Sequence, residues 1–277
     1  MISRQQLITQ IKQKKSFLCV GLDPDIEKIP SFLKEYPDPV FEFNKQIIDA
    51  TRDLCVSYKP NAAFYESRGI KGWQSLIDTW KHLPKECLNI IDAKRGDIGN
   101  TSDMYARAFF DESAAGMSFD AITVSPYMGS DTVTSYLSYP GKWVVLLALT
   151  SSTGSKDFQY LTTENGPLYE TVIKKANTWA DDDRMMFVVG ATKSTEFVNI
   201  RKIAPNNFLL VPGVGAQGGS LKDVCQYGMT KECGLLVNAS RSINYASNGR
   251  DFADAARAEA LKIQQEMQLE LEKAGII

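Results

Sequence analysis

Histidine is almost missing from this chain. Its one copy, His82, stands at a polar helix end before Pro84, far along the sequence from every candidate residue below. That argues against a histidine-based catalytic triad and against a histidine-ligated zinc site, and it leaves His82 as an expected surface residue. Cysteine is also sparse. Cys19, Cys55, Cys87, Cys225 and Cys233 are odd in number and show no CxxC spacing. They read as reduced, mostly buried thiols of a cytoplasmic protein. No apolar run is long enough to span a bilayer. The first fifteen residues are polar and lack the apolar centre of a signal peptide. Neither sign of charge is in excess: 31 Lys and Arg face 33 Asp and Glu, a net charge of −2. Nucleic acid and anionic membrane are therefore not expected as partners. The first apolar strand is not followed by the G-x-G-x-x-G signature of a dinucleotide site.

What remains is an ordinary globular composition, 44% hydrophobic and 23% charged, over 277 residues. Short apolar runs at 17–22, 55–58, 88–91, 119–124, 143–149, 185–189, 208–211 and 235–237 read as strands. Helical patterns occupy 3–15, 40–54, 64–83, 101–115, 130–137, 168–180, 195–203, 221–227 and 252–273. Continuous apolar strands between helices mean a parallel sheet covered on its outer face. Eight strand–helix pairs at this length predict a (β/α)8 TIM barrel, with 1–277 as a single domain. A doubly wound open sheet is the runner-up, but it does not need eight units.

The chain is organised around Asn89-Ile90-Ile91-Asp92-Ala93-Lys94-Arg95-Gly96-Asp97-Ile98-Gly99-Asn100-Thr101. Strand alternation puts Asp92 and Lys94 on one face and Arg95 on the other. Gly96 breaks the strand, Asp97 follows in a loop, and Asn100 or Thr101 is placed to cap the next helix. A buried strand ending in an acid and an amine is costly to desolvate and tends to persist where chemistry uses it. A structural Asp–Lys pair is the alternative for this stretch taken alone. In a barrel the active site lies at the C-terminal ends of the strands. Those ends carry Asp23, Lys59 and Asp92 with Lys94, and the Asp97 loop lies close by. Opposite charges in alternation favour each other's ionised forms. The lysines stand where a cation would balance the acids, so no metal is required.

Two further loops matter. Pro212-Gly213-Val214-Gly215-Ala216-Gln217-Gly218-Gly219 is a glycine-rich turn entering a helix, and Asn238-Ala239-Ser240-Arg241-Ser242 follows the last strand. Backbone N–H groups at such a turn approach an anion closely, and Arg241 can grip a phosphate. The loop Thr150-Ser151-Ser152-Thr153-Gly154-Ser155 offers hydroxyls to a neutral polar ring, or is simply solvated.

Taken together these residues resemble orotidine 5′-phosphate decarboxylase, in the longer bacterial form called type 2. Asp92-Ala-Lys94-Arg-Gly-Asp97-Ile98-Gly-Asn-Thr101 matches the family's Asp-x-Lys-x-x-Asp-Ile-x-x-Thr. Gly21-Leu22-Asp23-Pro24, Lys59-Pro60-Asn61, Pro212 to Gln217 and Ser240-Arg241-Ser242 follow in the family's order. The resemblance implies decarboxylation of orotidine 5′-phosphate to uridine 5′-phosphate without metal or cofactor, the last step of de novo pyrimidine synthesis. It implies that Lys94 protonates C6 and that Asp92 sits by the departing carboxylate, with Lys59 and Asp97 completing the charged array. Asp97, Ile98 and Thr101 would come from the partner of a homodimer. Asp23 and Lys59 would hold the ribose, Ser151 (beside Ser152) the pyrimidine, and Gln217 both ring and phosphate. Gly213, Val214, Gly215, Ser240 and Arg241 would bind the phosphate. The rival enzyme is a magnesium-dependent sugar-phosphate lyase or decarboxylase on the same barrel. The non-enzymatic rival is a barrel that senses a nucleotide.

Overall fold

The structure, a computed structural model, describes residues 1–215 and 218–277; of Ser194 it describes the backbone only. Eight parallel strands form a closed barrel: β1 Leu18–Leu22, β2 Ser57–Pro60, β3 Leu88–Arg95, β4 Ala121–Val124, β5 Trp143–Leu149, β6 Met185–Val189, β7 Leu209–Pro212 and β8 Leu235–Ala239. Each pairs with its neighbours in sequence, and β8 closes on β1 through Leu18↔Val237. Strands covered by helices outside and by side chains within are buried on both faces, which is why the apolar runs are continuous. All five residues of β1, β6 and β8 are buried.

Local chemistry sets the helix ends. Ser3 and Gln6 make a reciprocal capping box at the start of Arg4–Lys14. Asp38 accepts from the backbone of Val40 and Phe41 at the start of Pro39–Thr51. The C-terminal helix Phe252–Lys273 lies beside that element, with the Phe43 and Phe252 rings stacked 5.3 Å apart.

The helical span expected over 64–83 is two helices, Ala62–Glu66 and Gly69–His82. Gly69 turns between them at φ +62°. The span 101–115 also divides, into Gly99–Phe110 and Glu112–Ala115, because Asp111 caps a new turn by accepting from Ser113 N. Asn100 and Thr101 therefore cap nothing. Gly99, at φ +53°, admits the chain to the helix before either is reached, and Ile98 stands in the cap position without a side-chain bond. Four strands run further toward the mouth than their apolar runs: β2 to Pro60, β3 to Arg95, β7 to Pro212 and β8 to Ala239. The polar segment after β5 contains a short helix, Ser155–Phe158, and a small hairpin, Thr162–Thr163 with Gly166–Pro167. A 3-10 segment, Ala191–Glu196, precedes the helix Phe197–Ile203.

All five cysteines are free and buried. His82 lies at the rim of its helix, its Nε2 2.8 Å from Asp49 Oδ1. Among the described residues, no helix is long and apolar enough to cross a membrane.

Candidate active site

Three strand ends converge on one carboxylate. Lys59 on β2 is buried, and its Nζ donates to Asp92 Oδ2 at 2.9 Å. Lys94 Nζ donates to Asp92 Oδ1 at 2.6 Å. Thr123, on the adjoining β4, donates from Oγ1 to the same Oδ1 at 2.9 Å and accepts the backbone N–H of Lys94 at 2.9 Å. Asp92 is 8% exposed, whereas the Lys94 side chain is half exposed. Lys94 thus carries its charge from a buried partner out into the cleft.

The electrostatics follow. Burial works against the charge of Asp92, but attraction by Lys59 and Lys94 outweighs it and holds the carboxyl well below the usual range. Burial likewise opposes the charge of Lys59, and Asp92 and then Asp23 outweigh it, raising the lysine above its ordinary value. Cys19 beside them is a bystander: burial pushes its thiol up to about 11, against the pull of Lys59. A neutral thiol there is not a nucleophile.

The strand does not reach Lys94 by simple alternation. Lys94 has φ +48°, in the left-handed region, and the β3–β4 register shifts between Ile91 and Arg95. The shared side of Asp92 and Lys94 is correct, but an irregular backbone produces it.

At the end of β1, Asp23 Oδ2 accepts from Ser240 Oγ at 2.6 Å. Asp23 Oδ1 is buried and has no hydrogen-bond partner among the described residues. A buried acceptor left open at a cleft calls for a ligand donor. Tyr245 OH donates to Asp23 O and accepts from Asp25 N, both at 2.8 Å, tying the loop after β1 to the segment after β8.

The cleft has two chambers. One, of about 380 Å³, lies among Asp23, Lys59, Asp92, Gly213, Ser240 and Arg241, with Val214 also on its wall. The other, of about 320 Å³, is bounded by Lys94, Thr123, Ser151 and Ser152 and by the apolar side chains of Leu147, Val188 and Leu210. Lys59, Asp92 and Pro212 belong to both. Charged side chains and a glycine-bearing turn mark the first chamber, and apolar walls with hydroxyls mark the second. Such a pair suits an anionic, hydroxylated tail joined to a polar ring. Gly190, just past β6, has no room for a side chain: an added Cβ would lie 2.6 Å from Ser151 N and 2.8 Å from its Cα.

The other expected residues divide. Gly215 lies in the turn behind Gly213, its N–H bonded to Gly219 O at 2.9 Å. Gln217 lies outside the described residues. Asp97 is half-buried and turns its Oδ1 back onto Ile98 N at 2.8 Å, while Ile98 and Thr101 are exposed. None of these last three lines either chamber of its own chain. The sequence reading omitted Thr123, Asn61, Phe64, Lys28 and Tyr245, all at the cleft. Two of them carry a sequence signal: Thr123 is a polar residue near the end of an otherwise apolar strand, and Asn61 ends the Lys59-Pro60-Asn61 motif.

The profile of the orotidine 5′-phosphate decarboxylase / HUMPS family matches residues 16–256. The chain is 57% identical over 270 residues to an orotidine 5′-phosphate decarboxylase of Bacteroides fragilis, covering 96% of this chain and 97% of that one. Among solved structures, Leishmania donovani OMP decarboxylase superposes with a TM-score of 0.77 at 35% identity, covering 94% of this chain and 98% of that one. Leishmania donovani UMP synthase gives a TM-score of 0.81 at 37% identity over 95% of this chain, which spans only 57% of that longer protein. A profile match over most of the chain and a relative of this identity along nearly its whole length place the protein in the orotidine 5′-phosphate decarboxylase / HUMPS family.

Proposed function

We infer that this chain is a carboxy-lyase that converts orotidine 5′-phosphate to uridine 5′-phosphate, the last step of UMP synthesis. The observation that carries the reading is the Asp92 carboxylate held between two ammonium groups, one of which, Lys94, faces the ring chamber. Breaking the bond from C6 to the carboxylate releases carbon dioxide and leaves an electron pair on C6. The Lys94 ammonium stabilises that charge and then donates its proton to C6, and the resulting amine is reprotonated from solvent. Asp92 sits beside the departing carboxylate. It also keeps Lys59 charged, and its two oxygens accept from the two lysines. The reading assigns no metal and no cofactor to the reaction, so preorganised charge supplies the stabilisation.

The substrate lies across both chambers. Asp23, through its open Oδ1, and Lys59 hold the ribose hydroxyls. The backbone from Gly213 through Val214 and Gly215, with Ser240 and Arg241, holds the phosphate. Ser151 meets the pyrimidine, and Gln217 joins ring and phosphate. Phosphate binding, remote from C6, helps to assemble the array and so enters the rate.

The active form is a homodimer in which Asp97, Ile98 and Thr101 enter the partner's site. Two features support this. Asp97 turns away from its own cleft, and exposed apolar side chains gather in the same part of the chain: Ile98, Met104, Tyr127 and Met128. We read residues 1–277 as one barrel domain of the type 2 form, working in the cytoplasm, where five free thiols would stay reduced.

The test is to mix purified protein with orotidine 5′-phosphate in chelator-treated buffer and follow the loss of ring absorbance. Turnover is expected without added metal. No turnover of this substrate, with magnesium-dependent activity on a sugar phosphate instead, would favour the sugar-phosphate lyase. Tight binding of uridine 5′-phosphate with no turnover would favour a sensor.

A further inference from the structure

Lys94 is one of three non-glycine residues with positive φ among the described residues, the others being Lys15 and Cys233. Lys15 closes a helix, and Cys233 sits in a turn at the other end of the barrel, bonded to Thr230. Only Lys94 carries this conformation into the cleft. Left-handed backbone is unfavourable for a long side chain and persists where its surroundings over-determine it. Something must hold the bulge.

The next residue does so. The β3–β4 ladder resumes at Arg95, paired with Val124, and Arg95 O accepts from Ser125 N at 2.8 Å. The Arg95 side chain then reaches back around the bulge. Its Nη1 donates to Ala93 O at 3.1 Å, so one guanidinium links the two residues that flank Lys94. Its Nη2 forms an ion pair with Glu66, at the end of the helix Ala62–Glu66. That helix begins directly after Asn61, which bridges to Asp92. The guanidinium also lies over the rings of Tyr105, at 5.3 Å, and Phe109, at 5.8 Å. A planar fork can serve a carbonyl, a carboxylate and an aromatic face at once, which an ammonium cannot.

We propose that Arg95 and Glu66 are positioning residues for proton delivery: together they brace the strained bulge that aims the Lys94 ammonium at the reacting carbon. The proposal rests on the decarboxylase reading above. Neither residue lines the cleft, so both act through Lys94. Small displacements of a reacting group cost rate far more than they cost binding, so the loss should fall on kcat.

The experiment compares Arg95→Met, Arg95→Lys, Glu66→Leu and Glu66→Gln with the unaltered enzyme, for kcat, KM and binding of uridine 5′-phosphate. Arg95→Met and Arg95→Lys should each lower kcat by about 100-fold while KM and product binding stay within about threefold. Glu66→Leu should do the same. Glu66→Gln keeps an acceptor for Nη2 and should recover activity to within about fivefold of the unaltered enzyme. A general structural weakening would lower melting temperature without that split and without that recovery. If Arg95→Met fails to fold, the Glu66 pair decides alone. Variants that match the unaltered kcat, or a Glu66→Gln no better than Glu66→Leu, would overturn the brace and leave the decarboxylase reading intact. An unaltered protein that does not turn over orotidine 5′-phosphate would overturn both.

Discussion

The two ends of the barrel both bury cations, and they use them in opposite ways. At the base, Arg201 donates to the backbone carbonyls of Gly228, Ala204, Asn207 and Gly234. Lys142 donates to Phe119 O and Ser118 Oγ and lies 5.2 Å over the Phe110 ring. Carbonyls satisfy the donors but do not neutralise the charge. Burial therefore pushes Arg201 down to about 10 and lowers Lys142 despite the pull of Asp120. At the mouth, carboxylates face the cations and Lys59 is raised instead. Arg241, exposed on the chamber wall, has no ion-pair partner among the described residues. Base cations tie loops together. At the mouth Lys59 is held charged by its acids, while Lys94 and Arg241 present their side chains to the cleft. A buried charge is thus a sign of function only when its partner keeps it ionised and its surroundings leave it reachable.

The largest expected contrast comes from Lys94→Ala. Turnover should fall by more than about 10⁴-fold, since stabilisation and proton both depend on it, while melting temperature and phosphate binding hold. Substantial residual decarboxylation in a clean sample would remove Lys94 from its proposed role.

Next is the proposed division of the mouth between two chains. Lys94→Ala and Asp97→Ala should each be inactive alone. In a mixed dimer one site carries both lesions and the other neither. Random reassortment makes half the dimers mixed, so about a quarter of all sites should recover. Activity after co-expression, or after joint unfolding and refolding, measures this. No recovery with mixed dimers demonstrably present would return Asp97 to its own chain.

Arg241→Ala should cut kcat/KM by about 2–3 kcal/mol for the whole substrate, on the scale of a charged hydrogen-bonded pair. The loss should shrink for a substrate truncated at the phosphate. Equal losses for both would show that Arg241 does not hold that group. At the base, Arg201→Lys keeps the charge but strands at least one carbonyl. A stability loss of about 2 kcal/mol by denaturant unfolding, with kcat within about twofold, is the expected result. A large fall in kcat there would erase the distinction between the ends.

The smallest effect is one of pH. Asp92 is depressed and Lys59 raised, so neither should titrate between about pH 5 and 8, and kcat should show no step from them. The stability contributed by the depressed Asp92 is present above the unfolded carboxylate value, about 4. It is lost as pH falls through its lower folded value. Acid unfolding of the unaltered chain against Asp92→Asn reads this directly, and identical acid limbs would count against it.

The legible parts of the sequence were those where burial and periodicity coincide. The runs at 143–149 and 185–189 and the helices at 130–137 and 252–273 appear with their expected bounds. Strand ends at the mouth were read short, because apolar pattern reports burial whereas the ladder continues into Lys59 and Asp92. The convergence of Asp23, Lys59, Asp92 and Lys94 was legible from barrel topology alone. The left-handed Lys94 and the Arg95–Glu66 pair were not, since one is a backbone property and the other joins residues 29 apart on separate elements. Asp111 shows the same limit on a local scale: one cap divided a helix that periodicity had joined.

The crowding of Gly190 against Ser151 bears on how this cleft could change over time. That side of the second chamber is already at contact distance, so nothing larger than glycine can be accepted on β6's outlet without displacing the segment opposite. Variation in the size of group accommodated would then arise in the 150–155 segment or in the apolar walls Leu147, Val188 and Leu210, leaving position 190 unchanged. Substituting that loop should alter which pyrimidine analogues fit, whereas substituting Gly190 should abolish the fit for all of them.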